Sequence, residues 1–292
     1  MDCVSPMNDK PHPPDRVITS AGVHMPRILY GTAWKQARTA ALVTQAITLG
    51  FRGIDTACQP KHYFEAGVGA GIAAVGQANI ARAALYVQTK FTPLSGQDPA
   101  RMPYAATARP AEQVMQSFET SLHNLQTPYV DGLILHSPLA DAAEMREVWQ
   151  AMEAIWDGGR ARQLGISNCY QVHELEALYR GARIKPAVVQ NRFHARTQYD
   201  GELRAFCRRH GIIYQSFWTL TANPRVLTHA RVRALASKHR RTAAQILFRY
   251  LTQIDIVPLM GTTSMQHMRE DLAIFEFELS VDEQAGMATL FR

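Results

Sequence analysis

Cysteine is scarce in this chain of 292 residues: Cys3, Cys58, Cys169 and Cys207 are widely spaced, and none forms a CxxC pair. That excludes a zinc knuckle and a thioredoxin-type motif, and isolated thiols suit a reducing compartment. Long apolar runs are missing too. No stretch reaches the roughly 20 apolar residues that span a bilayer. The opening MDCVSPMNDKPHPPDR lacks the apolar segment of a signal peptide. A cytoplasmic protein without membrane attachment is the expectation, with residues 1–16 as a flexible tail. His123, His173 and His194 have no ligand spacing, so no metal is expected.

The formal charge of +6 and pI of about 9.2 suit an anionic partner, such as a phosphate-bearing cofactor or nucleic acid. The densest basic group, Lys238-His239-Arg240-Arg241, adjoins a helical pattern and is most simply a solvated face. No aromatic-plus-basic platform accompanies it, which argues against nucleic acid. With 47% apolar residues the chain can bury one large core.

What the sequence does contain is a repeated unit. A short strand pair over 17–20 and 23–25 flanks Ala21-Gly22. Strands near 28, 53, 85, 130, 163, 187, 212 and 256 then alternate with segments of helical periodicity. Among the latter are 38–49, 68–75, 111–125, 142–157, 225–238 and 281–291. Alternation of this kind implies right-handed crossovers and a parallel sheet. Eight such strands imply a single closed (β/α)8 TIM barrel over 17–292, with an N-terminal hairpin and C-terminal helices. An open doubly wound sheet would more often carry GxGxxG after its first strand, where this chain has GTAWKQ.

In a barrel the carboxyl ends of the strands share one pocket. Those ends are Gly31-Thr32, Asp55 with Tyr63 in the following loop, Lys90, His136, Ser167-Asn168, Gln190, Ser216-Phe217-Trp218 and Gly261-Thr262. Taken singly, each has a bland reading: Asp55 as a helix cap, Lys90 as a surface charge, His136 as a turn histidine. Placed together they make a proton-transfer set. A phenol titrates near 10, and a neighbouring ammonium would lower that value. Lys90 supplies an ammonium, Asp55 a carboxylate to hold it, and a neutral His136 a donor to orient a carbonyl oxygen. Hydride must come from a cofactor.

The ordered pieces MPRILYGTAW, GFRGIDTA with HYFEAGVG, LYVQTKF, YVDGLILHSPL, GISN, VVQN and FCRRHGI resemble the aldo-keto reductases nearly end to end. The resemblance implies an NADPH-dependent reductase, with NADH not excluded, acting on a small aldehyde or ketone. A monomer is favoured. It implies a catalytic tetrad of Asp55, Tyr63, Lys90 and His136, and carboxamide contacts from Ser167, Asn168 and Gln190. Gly31, Thr32, Ser216, Trp218, Gly261 and Thr262 complete the expected cofactor set. The chain departs from the family pattern in three places. The tyrosine's usual positions hold Pro60 and His62, and Tyr63 is the phenol in this loop. Gln215 stands where an aromatic usually stacks on the nicotinamide, with Trp218 the expected replacement. Gly261 and His267 fall near the lysine and arginine that usually grip the 2′-phosphate, leaving Arg269 and the backbone amides of 261–263 for the phosphates. Cys58 reads as a packing thiol. The resemblance also leaves room for a cofactor-binding sensor with little turnover. A Schiff-base aldolase using Lys90 is the remaining, weaker alternative.

Overall fold

Residues 15–291 are described by a computed structural model. The expected tail over 1–16 lies mostly outside these residues, and its last residue, Arg16, already belongs to a strand. Strand β1 (Arg16–Ile18) pairs antiparallel with β2 (His24–Pro26), with Val17 opposite Met25. The turn between them is longer than the two residues expected: Thr19 N donates to Val23 O, Gly22 N donates to Thr19 O, and Gly22 takes φ 75°. A left-handed turn position of this kind favours glycine.

Eight parallel strands follow: β3 (Leu29–Gly31), β4 (Gly53–Asp55), β5 (Tyr86–Phe91), β6 (Gly132–Leu135), β7 (Leu164–Ser167), β8 (Val188–Arg192), β9 (Ile213–Phe217) and β10 (Ile256–Met260). They pair in sequence order, and β10 also pairs with β3, so the sheet is a closed (β/α)8 barrel. Helices α1 (Thr39–Leu49), α2 (Glu65–Gly76), α3 (Pro110–Leu125), α4 (Ala142–Asp157), α5 (Val172–Gly181) and α6 (Gly201–Arg209) alternate with the strands. The helix expected over 225–238 is two, α7 (Pro224–Leu227) and α8 (Ala230–His239). The chain turns extended at His229, whose side chain caps α8 by accepting from Arg231 N. Helices α9 (Ala243–Gln253), α10 (Met265–Leu272) and α11 (Val281–Ala288) complete the chain.

Period-2 alternation splits the buried residues into two shells. Outward-facing residues such as Val87, Leu133 and Val189 pack under the helices. Inward-facing Leu29, Tyr86, Ile134, Val188, Val257 and Leu259 fill the barrel with Met25 of the hairpin, which is fully buried. The hairpin thus closes the floor, at the amino ends of the strands. Helices α2 and α3 approach so closely that a Cβ on Gly69 would lie 2.1 Å from the carbonyl oxygen of Asn124. That fixes α2, and with it the loop bearing Tyr63.

Candidate active site

Asp55 ends β4 and Lys90 lies near the end of β5, its Cα register partner one strand further being Ile134. The Lys90 ammonium donates to Asp55 Oδ1 at 2.6 Å, to Oδ2 at 2.7 Å and to the Thr56 carbonyl at 2.8 Å. Both side chains are buried. Burial pulls the lysine down from its ordinary value while Asp55 pushes it back up. With two carboxylate oxygens on one ammonium, the ion pair is the state this geometry holds. Asp55 Oδ1 also accepts from Gln88 at 2.6 Å and Gln190 at 2.9 Å.

Tyr63 leans over this pair. Its ring centroid is 5.2 Å from Lys90 Nζ and 6.1 Å from the His136 ring, edge to face. Burial, reinforced by Asp55, pushes its phenol above the ordinary range. The expected lowering by Lys90 is therefore absent in the resting site, because the ammonium is turned onto Asp55 and Thr56. The phenol keeps its proton. His62 points elsewhere: its ring packs 4.0 Å from that of Trp34, and its Nδ1 pairs with Gln59 Oε1 at 2.9 Å.

His136 follows β6. Its Nδ1 is 2.7 Å from Thr92 Oγ1. Burial, then Lys90 and His62, hold the imidazole well below its usual titration range, so it is neutral. With Nδ1 engaged by Thr92, Nε2 is the nitrogen left to face a substrate.

The next strand ends converge on the same place. Ser167 Oγ donates to the Gln190 carbonyl at 2.7 Å, and Asn168 Nδ2 donates to the His136 carbonyl at 2.8 Å. The Gln190 amide nitrogen is committed to Asp55 and to Gln215 Oε1, while its Oε1 accepts from no donor among the described residues. Gly31 lies beside the Met260 carbonyl, and Gly261 and Thr262 extend from β10 at the same rim. There Tyr30 Oη donates to the Thr262 carbonyl at 3.0 Å, and Lys35 donates to the Gly261 carbonyl. Ser264 caps α10 by accepting from His267 N.

Two residues of the expected cofactor set, Thr32 and Ser216, are buried and bonded away from the mouth. Thr32 is fully buried, and its hydroxyl and amide both bond the Asp55 carbonyl. Ser216 is fully buried, faces away from the barrel axis by alternation with Gln215, and accepts from Thr219. Gln215 itself lies inside the barrel, below the mouth, bonded to Gln88 and Gln190. Strand β9 runs on to Phe217, so the inward-facing aromatic at its tip is Phe217, half-buried against the barrel interior. Trp218 sits beyond it, with the Arg192 guanidinium 4.3 Å from its ring centroid. Counting alternation from Gly211 through Ile213 and Gln215 would have pointed to Phe217. Thr92 carried no sequence signal, because only the fold brings it to His136. Cys58 is buried against Glu65, Ser117 and Ser121, and burial pushes its thiol up, as a packing role requires. Among the described residues no cluster of side chains is arranged to hold a metal ion, and no helix is long and apolar enough to cross a membrane.

A family model described as the aldo/keto reductase family matches residues 27–290. Glyoxal reductase of Bacillus subtilis is 32% identical over 271 residues, covering 92% of this chain and 90% of its own. Prostaglandin-E(2) 9-reductase of Oryctolagus cuniculus is 28% identical, covering 95% and 91%. The crystal structure of an aldo/keto reductase from Brucella melitensis superposes with a TM-score of 0.79 at 26% identity, covering 94% of this chain and 98% of that one.

Proposed function

The chain belongs to the aldo/keto reductase family, and from that premise we propose that it reduces a small aldehyde or ketone to the alcohol using a nicotinamide dinucleotide. The family is one of oxidoreductases, and the two relatives named above are reductases. The observation that carries the reading is the meeting of Tyr63, Lys90 and His136 at one point of the barrel mouth, with Asp55 behind Lys90.

The cofactor fits the residues present. Gln190 Oε1 has no donor among the described residues, and Ser167, the register partner of Gln190, and Asn168 lie at the neighbouring strand end, a set able to bind a carboxamide. Phe217 offers an apolar face at the mouth, and Trp218 extends it. Lys35 and the amino end of α10 supply positive potential at the rim for phosphates. Bound there, the nicotinamide would supply hydride to the carbonyl carbon.

The remaining chemistry belongs to the side chains. His136, neutral and held through Nδ1, donates from Nε2 to the carbonyl oxygen and sets its position. Tyr63, protonated at rest, gives its proton to that oxygen as charge develops on it. The Lys90 ammonium stabilises the resulting phenolate, and Asp55 keeps the ammonium in place. The positive rim suits NADPH as well as NADH, and Trp34 and Trp218 suit an apolar substrate wall.

The test is to mix the protein with NADPH or NADH and a panel of small aldehydes and ketones, following absorbance of the reduced cofactor. Consumption that depends on both partners and is lost in Tyr63→Phe is the expected result. Cofactor binding without turnover across the panel would sink the reductase and favour the sensor.

A further inference from the structure

A column of buried polar side chains runs through the barrel from its floor to Asp55. Thr19, in the hairpin turn, donates to Gln163 Oε1 at 2.6 Å. Gln163 Nε2 donates to Tyr86 Oη at 2.8 Å. Tyr86 Oη donates to Gln88 Oε1 at 2.7 Å. Gln88 Nε2 donates to Asp55 Oδ1 at 2.6 Å. Alongside, Gln215 exchanges amide bonds with Gln88 at 2.8 and 3.0 Å, and it accepts from Gln190. All six of these residues are buried with Asp55 and Lys90.

Gln215, beside the column, also donates down to Met25 Sδ at 3.2 Å. The direction from Thr19 to Asp55 is uniform, each of its four donors pointing toward the mouth. The charge on Asp55 explains why. Were the Gln88 amide reversed, an oxygen would face the carboxylate. With its nitrogen upward, its oxygen must take the Tyr86 proton, and Tyr86 must then accept from Gln163. Aligned chains of this kind polarise one another, so the last donor is stronger than a lone amide. No buried atom left without a partner belongs to the column. The surrounding interior is Leu29, Ile134, Val188, Val257 and Leu259. Apolar side chains would fill the space without the desolvation that six polar ones cost. Folding alone therefore does not call for the column.

We propose that the column is a positioning device in which Gln88, oriented by Tyr86, Gln163 and Thr19 beneath it, keeps the Asp55 carboxylate ionised and aimed at Lys90. A buried carboxylate and ammonium can relax to a neutral acid and amine by moving one proton. Amide donors on the carboxylate favour the ionic form, and losing them favours the neutral one. The other titratable groups around the pair are Tyr63 and Glu65 after β4, Tyr86 on β5 and His136 after β6. The role of Lys90 in catalysis rests on the reductase reading; the state of the Lys90–Asp55 pair does not.

The experiment is carbon NMR of the full chain labelled at lysine Cε, which carries six lysines, titrated with pH and assigned with Lys90→Arg. In Gln88→Met, an apolar side chain of similar length, the ammonium-to-amine ratio of Lys90 at a given pH is expected to fall about tenfold. The alkaline limb of kcat moves to lower pH by the same margin, and KM for the cofactor stays within about twofold. Thr19→Val, at the far end of the column, is expected to move Lys90 in the same direction by about twofold. If Gln88→Met does not fold, Thr19→Val decides. An unchanged Lys90 titration in the folded variants overturns the proposal. A shifted titration in a protein that reduces no carbonyl would leave the column standing and remove the reductase.

Discussion

Lys90 and Asp55 form a two-oxygen ion pair inside the barrel, at 2.6 and 2.7 Å, with almost no exposure of either side chain. A buried pair is indifferent for stability when intact and expensive when broken, because the survivor keeps its charge in a poorly solvating place.

Asp55→Asn is therefore expected to destabilise the fold by about 3–5 kcal/mol. Urea unfolding followed by circular dichroism measures this. The double variant Asp55→Asn, Lys90→Met, which removes both charges, is expected to recover a large part of the loss. A double variant no more stable than the single one would mean that the pair does not control stability here.

The loop after β4 offers two candidates for the proton donor, and they face different ways. Tyr63 stands over Lys90 and His136, whereas His62 packs on Trp34. Tyr63→Phe is expected to lower kcat on the order of a hundredfold or more while leaving cofactor affinity near that of the parent. His62→Ala should keep most of the turnover and change KM for the carbonyl substrate. An active Tyr63→Phe with a dead His62→Ala would move the donor to the imidazole.

His136 gives a pH prediction. Its imidazole is held neutral, well below the ordinary value, by burial first and then by Lys90 and His62. In the unfolded chain it titrates near 6.5. Below about that pH the unfolded state binds the extra proton, so stability falls as pH drops from about 7 toward 5. His136→Gln cannot titrate, so its loss of stability over that window is expected to be smaller than that of the parent. Denaturation midpoints at several pH values measure the difference, and parallel curves would show that His136 is free to charge in the fold.

These expectations separate what the sequence makes legible from what it hides. Strand ends are legible because parallel strands are buried on both faces and read as apolar runs, so a polar residue closing the run stands out. Asp55 after Gly53-Ile54 and His136 after Leu133 to Leu135 follow that rule, while Lys90 stands out on β5 as its one charged residue. The polar column was hidden for the converse reason. Gln88 and Gln215 lie inside strands, where a polar residue breaks the apolar run without saying what it meets. Gln88 is the Cα register partner of Asp55, and Gln190 that of Gln215, and register appears only once the barrel has closed. The same ignorance of register hid the inward aromatic at the tip of β9. That strand continues to Phe217, so its inward positions are Ile213, Gln215 and Phe217, and Gln215 drops into the interior.

Phe217 consequently carries the last prediction. It is the inward residue nearest the mouth on β9, and its neighbour Trp218 is turned under Arg192. A planar ring at that place can stack on a nicotinamide, whereas Gln215, bonded below it, cannot. Removing an aromatic face of this kind forfeits its buried area and its ring contact, together about 2–3 kcal/mol. Phe217→Ala is expected to weaken binding of the dinucleotide by roughly thirtyfold or more, a change readable by quenching of protein fluorescence without any turnover. Phe217→Tyr should bind like the parent. Trp218→Ala, on the rim, should lose much less. If Trp218→Ala abolishes binding while Phe217→Ala leaves it intact, the stacking face belongs to Trp218, and the Arg192 contact must open when the cofactor enters.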